Sequence, residues 1–212
     1  MKKRRIGLGG SALVVMAVAF MFAAGCATAP PGSGFLKDYS KLQTDPDDES
    51  LKWWEKEGVD WKRYKKLMID PVVVYFHPEA ENRQIEPDVL KELADYFRNA
   101  VIKEVQDTYP VVEAPGPDVL RIRAAITDLI PANPFVNIIS TAGAGIPVDM
   151  GGASMEAMFL DSTTHELLGT VVDSKKGTPV DIKGFTTWGH AKGAFKDWAE
   201  LLKESLEYET KK

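Results

Sequence analysis

Apolar residues recur along this chain at two different spacings. From Leu120 they alternate: Leu120, Ile122, Ala124 and Ile126 fall on one face of an extended segment, and Arg121, Arg123, Ala125 and Thr127 on the other. That is the period of a strand with one buried and one solvated face, expected from Asp118 to Asp128. Val89, Leu90, Leu93, Ala94, Phe97, Val101 and Val105 instead recur at helical spacing behind Pro87, which suits a first helical turn. The spacing predicts an amphipathic helix from Pro87 to about Asp107. A second stripe, Ala191, Ala194, Phe195, Trp198, Leu201, Leu202 and Leu206, follows Thr187 as a capping residue. The β-branched run Lys66 to Phe76 reads as a buried strand, with Pro71 near its start or on an edge because proline has no N–H to donate. Ser154 to Leu160 and Leu167 to Asp173 are two more strands, joined as a hairpin through Asp161 to Glu166, and Lys175-Lys176-Gly177-Thr178-Pro179 ends the pattern. Strands and helices at separate positions predict an α+β, two-layer domain: a mostly antiparallel sheet of about four or five strands with two amphipathic helices packed on one face.

The N-terminus follows neither period. Lys2, Lys3, Arg4 and Arg5 precede a stretch from Ile6 to Ala24 without a charged residue, strongly apolar only from about Ala12. That length fits the core of a signal peptide better than a membrane span. Ala23-Ala24-Gly25 are small residues immediately before Cys26, the chain's one cysteine. The arrangement is that of a lipoprotein cleavage and acylation site, with cleavage between Gly25 and Cys26 and lipid on Cys26. Several acyl chains give a stable attachment where one would be marginal. Ala27, standing where an aspartate retains such proteins at the inner membrane, favours the outer membrane facing the periplasm. Residues 1–25 are thus expected to be the leader, 26–60 the lipidated cysteine and a flexible tether, and 61–212 one periplasmic domain. A flexible segment of that length spans roughly 30 Å. Trp53, Trp54 and Trp61 sit within it, either as an interface or glycan-stacking platform or as cover for an edge of the core.

Composition narrows the partners. The formal charge of −5 becomes −9 once the four basic leader residues, and no acid, are removed. Such acidity disfavours nucleic acid, whose phosphates need clustered Lys and Arg. One cysteine excludes an internal disulfide, so stability must come from packing.

Ser33-Gly34-Phe35-Leu36 with Asp38-Tyr39-Ser40 and Leu42, Ile69-Asp70-Pro71-Val72, Leu120 to Asp128, and Gly151-Gly152-Ala153-Ser154-Met155-Glu156 occur in that order. In them the chain resembles the bacterial lipoproteins grouped as domain of unknown function 3313, over most of its length after Cys26. The resemblance implies an envelope lipoprotein and supplies no activity. It departs at Thr164-His165, where the family's hairpin is expected to carry Thr-Gly. A looser similarity to small envelope modules that assemble with partners is analogy at the level of the fold.

Candidate chemistry is sparse. Leu129 to Val148 contains no charged side chain, and Pro131, Pro134 and Pro147 forbid a membrane-spanning helix there. Its glycines lack the lysine of a phosphate-binding loop. A loop this long is expected to be functional or mobile. Phe135, Val136, Ile138 and Ile139 are the candidate contact residues for a protein partner or the bilayer, against the alternative that they fold back over the sheet edge. His77, His165 and His190 show no metal-ligand spacing and read as turn, hairpin and first-turn helix residues. Asp128, Glu156 and Asp161 are the candidates for a paired-carboxylate hydrolase of peptidoglycan or glycan. The leading expectation is a non-enzymatic outer-membrane lipoprotein that assembles with an envelope protein or with itself, without cofactor or metal. The alternatives are that hydrolase and a lipid or small-ligand carrier built on Pro134 to Ile146. A cleft gathering the carboxylates favours the hydrolase, an enclosed apolar cavity the carrier, and a sealed core with an exposed apolar loop the partner.

Overall fold

The alternating run becomes the longest strand of the mixed sheet formed by the described residues. In a computed structural model, which describes residues 32–80, 84–144, 149–178 and 186–211, seven strands pair: β1 (Gln43–Thr44), β2 (Lys52–Glu55), β3 (Lys66–Ile69), β4 (Val73–Val74), β5 (Val119–Ile130), β6 (Gly152–Asp161) and β7 (Leu167–Lys176). Their order is β1-β2-β7-β6-β5-β3, with β4 also on β5. All neighbours are antiparallel except β3 and β4, which run parallel to β5. The parallel pairing follows from the connection: α1 (Pro87–Val105) lies between β4 and β5, and a helix is the usual crossover between parallel strands.

The sheet has more strands than expected for two reasons. Asp70, Pro71 and Val72 interrupt the apolar run, giving β3 and β4 in place of one strand. The segment expected to be a tether supplies β1 and β2, and β2 pairs with β7 from Lys52↔Val172 to Glu55↔Gly169. From Gly32 onward the expected tether is therefore part of the folded domain. Its backbone groups find partners on the sheet edge, which outweighs the freedom that its turn-rich composition would allow.

One face of the sheet carries α1 and α3 (Gly189–Lys211) packed against each other. Both apolar stripes point inward as their spacing requires: Leu93, Phe97, Val101 and Val105 from α1, and Ala191, Ala194, Phe195 and Trp198 from α3, are buried with Leu120, Ile122 and Ile126 of β5. Phe97 and Phe195 stack at 4.8 Å between centroids, and Trp198 tilts against both. Such ring pairs add about 0.5–1.5 kcal/mol beyond burial. Lys192 to Glu92 and Lys203 to Glu104 tie the outer sides of the helices together.

The other face, expected to be solvated, is partly covered. Residues 32–42 cross it as a strap, with Leu36 buried and the rings of Phe35 and Tyr75 in tilted contact. Glu156, on β6 opposite Ala125, is only 2% exposed. Its carboxylate accepts from the backbone amides of Ser33 (3.1 Å) and Leu36 (3.3 Å) and from the Tyr39 hydroxyl (2.7 Å). Gly34 has φ +96°, the left-handed region that lets the chain turn so that both amides reach one carboxylate. Lys41 then lies over the Trp54 ring as the chain reaches β1.

Glu156→Ala should cost about 1–3 kcal/mol, because it leaves buried donors unpaired. Urea unfolding measures the loss, and limited proteolysis should then cut between residues 33 and 42. Unchanged stability and an uncut strap would show that the carboxylate does not hold it.

Candidate functional site

The uncharged stretch is where structure and expectation differ most. Leu129 and Ile130 complete β5, and residues Pro134–Ala144 form a short helix, α2, where a loop was expected. Pro134 opens the helix, where its missing N–H costs nothing, and Asn133 Oδ1 accepts from the amides of Phe135 (3.1 Å) and Val136 (3.3 Å) as an N-cap. The helix is then clamped from within. Asn137, wholly buried, donates from Nδ2 to the Asp149 carbonyl (2.7 Å) and accepts from the Asp149 amide (2.8 Å), while the Asp149 carboxylate accepts from the Asn133 amide. A segment without charge is thereby held in one conformation by two asparagines and an aspartate. Outward it presents Phe135, 69% exposed, Ile138, 55% exposed, and Val136. These do not fold back over the sheet. The side chain of Ile139 and residues 145–148 lie outside the described residues, as do Gly25 and Cys26.

The three candidate carboxylates are not gathered at one point, although Asp128, paired with Ser154, stands on the same face of the sheet as Glu156, two positions along β6. Glu156 and Asp161 are five positions apart on β6, about 16 Å at strand rise. Glu156 holds the strap. Asp161 closes the β6–β7 hairpin: Oδ1 accepts from the amides of Thr163 (3.0 Å) and Thr164 (2.8 Å), and Oδ2 from the Tyr64 hydroxyl (3.0 Å) and Arg63. Burial pushes its carboxyl up, but the Thr164 amide, the Tyr64 hydroxyl and the Thr163 amide outweigh that and hold it below the usual carboxylate range. Burial and the adjacent Asp161 raise the Tyr64 hydroxyl to about 12. Asp128 caps the neighbouring Leu129 amide (2.8 Å) beside a register shift in β5. A further carboxylate that sequence reasoning missed, Asp173, is wholly buried and accepts from Trp198 Nε1 (2.7 Å), Ser50 Oγ (3.0 Å) and the Ser174 amide (2.7 Å).

The histidines likewise do local structural work. His165 stands at φ 59°, the left-handed turn position a glycine would take most easily, so at Thr164-His165 a histidine holds the conformation for which a glycine is expected. His190 is buried and its Nδ1 accepts from the Gly151 amide (2.9 Å), with Gly177 packed so closely on the ring that a Cβ there would lie 2.4 Å from it. Glu79 donates its amide to His77 Nδ1 in a turn. Among the described residues no group of His, Cys, Asp and Glu is placed to hold a metal ion, and no helix is long and apolar enough to cross a membrane.

Trp61 packs against the core and, with Trp53 and Trp198, lines a cleft of about 570 Å3 between the sheet and the C-terminal part of α3, while the Trp54 ring lies under Lys41 on the other face of β2. Trp61 Nε1 donates to Glu55 (2.5 Å) and its ring tilts against Tyr64. The pattern of apolar residues did not show this cleft, because each wall residue reads as core.

An α+β domain with two helices on one face, a strap on the other and a capped apolar helix at one end is the class of structure these residues define. Residues 31–202 match the family described as protein of unknown function DUF3313, and the chain belongs to that family. The uncharacterized lipoprotein YdcL of Escherichia coli K12 is 25% identical over 158 residues, covering 68% of this chain and 71% of YdcL. Among solved structures, a PelC dodecamer from Paraburkholderia phytofirmans matches at 9% identity and TM-score 0.41, over 71% of this chain and 96% of that one. A DUF4136 family protein from Bacteroides thetaiotaomicron matches at 9% identity and TM-score 0.43, over 80% and 97%.

Two outcomes test the site. Asn137→Ala should remove about 1–3 kcal/mol and expose α2 to hydrogen exchange, because the Asp149 amide and carbonyl lose their partner. Asp161 has a depressed folded pKa, so its contribution is present above the unfolded value of about 3.9 and is lost as pH falls through the folded one. The stability gap between wild type and Asp161→Asn should therefore be largest above about pH 5 and shrink below about pH 4. A gap constant from pH 7 to pH 3 would assign acid sensitivity to another group.

Proposed function

We propose that this protein is a lipid-anchored lipoprotein of the bacterial envelope, acylated on Cys26 after cleavage behind Gly25 and facing the periplasm from the outer membrane. Its domain is a non-enzymatic binding module that docks on an envelope protein through the exposed face of α2. The observation that carries the docking role is that face: Phe135, Val136 and Ile138 stand in solvent on a helix without charge, held rigid by the Asn133, Asn137 and Asp149 clamp. Clustered exposed apolar side chains on an ordered element mark interaction sites.

The anchor reading is supported by the basic and apolar leader before Cys26 and by the name of the relative YdcL, a lipoprotein. The non-enzymatic reading is supported by the use of Glu156 and Asp161 in structural hydrogen bonds, which leaves neither free to act as an acid or base.

Cross-linking in intact envelopes, followed by identification of the attached protein, tests the docking role. Phe135→Ser with Ile138→Ser should abolish the cross-linked product while changing stability by no more than about 0.5 kcal/mol, as expected for exposed positions. A product retained by the double variant would overturn the α2 assignment, and products containing only this chain would identify the partner as a second copy. Cys26→Ser should shift the protein out of the membrane fraction. Full retention with outer membranes would remove the lipid anchor from the reading.

A further inference from the structure

Packed interiors leave few voids larger than a water molecule, whereas small-molecule sites measure about 300–1,000 Å3. The cleft between the sheet and α3, at about 570 Å3, has the size of a ligand site. Its floor is apolar and drawn from four elements: Phe97 and Val101 of α1, Ile122 of β5, Met155 of β6 and Trp198 of α3. Its mouth carries Trp53 and Tyr208, both exposed aromatic rings.

Charge selects the occupant. Among the described residues, every one on the cleft wall that is charged at neutral pH is acidic: Asp45, Glu55, Asp70, Glu204 and Glu209. Asp70 is compensated by Arg121 and Arg123, and the remaining four leave the site negative. An anionic head group is repelled there. A cation is attracted both by the carboxylates and by the faces of the aromatic rings.

We propose that this cleft binds a single-chain amphiphile with an apolar tail and a cationic head group, a protonated or quaternary amine. The tail lies over the floor formed by Phe97, Ile122 and Met155, and the head sits at the mouth among Trp53, Glu55 and Glu204. The site is separate from α2, contains none of the residues proposed to dock a partner, and takes a different class of ligand.

Three of the five tryptophans, Trp53, Trp61 and Trp198, line the cleft, while the Trp54 ring lies under Lys41 on the other face of β2, so intrinsic fluorescence reports its occupancy. The processed chain, residues 26–212 carrying Cys26→Ser, is titrated with decyltrimethylammonium and with decyl sulfate, both below their micelle concentrations. Saturable binding of the cation is expected, with decyl sulfate weaker by about tenfold or more. Each methylene removed from the tail should weaken binding roughly fourfold, the equivalent of about 0.8 kcal/mol. Ala157 of β6 also lines the floor, and Ala157→Phe should fill it and abolish the response. Because that variant can fail to fold, Glu204→Lys with Glu209→Lys, at positions on the outer part of α3, supplies the second test and should reduce or reverse the head-group preference with the circular dichroism spectrum unchanged. Equal or tighter binding of decyl sulfate, no saturation with either probe, or an unaltered preference in the lysine variant would each overturn the proposal.

Discussion

A carboxylate taken out of water must have its oxygens hydrogen-bonded or it will not remain buried. Three carboxylates on β6 and β7 meet that condition in the same way, each by recruiting donors from a distant part of the chain. Glu156 takes two amides and a hydroxyl from the strap, Asp161 takes two turn amides with Tyr64 and Arg63, and Asp173 takes the indole of Trp198 and the hydroxyl of Ser50. The strap, the hairpin and α3 are thus fixed to the two strands at the middle of the sheet. Removing one partner from such a site costs more than the bond itself is worth, because the remaining polar group is left buried and unpaired.

The residues that carry the family resemblance are largely the partners in these contacts. Ser33, Leu36 and Tyr39 belong to one motif and Glu156 to another, and they meet across the sheet. Asp70 lies in a third motif and accepts a bidentate pair of bonds from Arg121 in a fourth, with Arg123 nearby. Gly151 and Gly152 sit where a Cβ would lie 2.6 Å or less from a neighbouring carbonyl, so their lack of a side chain lets strands approach. The motifs describe how this fold is held together. The proposed roles rest on surfaces built on it, α2 at one end and the cleft under α3.

Legibility followed periodicity. β5, α1 and α3 were readable because a strand with one buried face and a helix with one buried stripe both impose a repeat on the sequence. β1 and β2 are too short to show a repeat; β1 pairs with β2, and β2 is held on the sheet by β7, which lies more than a hundred residues away. For α2, Phe135, Val136 and Ile138 were identifiable as candidate contact residues, and they are exposed, but they were not identifiable as helical: three prolines and several glycines suggested a loop. Asn133 and Asn137 are the signal that could have been read, since an asparagine before a proline-initiated turn is an N-cap.

By itself the amino-acid sequence determined the basic and apolar leader ending at Cys26, the two amphipathic helices, the alternating strand and the acidic balance, all properties of local order and composition. Only the tertiary structure decided that the segment from Gly32 belongs to the domain, that Glu156 and Asp161 serve as latches and not as a pair, and that tryptophans from β2, α3 and the turn after β2 wall one cleft. The reason is range. Hydrophobic periodicity is set by neighbours a few positions apart, whereas the partner of a buried carboxylate and the opposite wall of a cleft are set by packing between segments with no fixed relation along the chain.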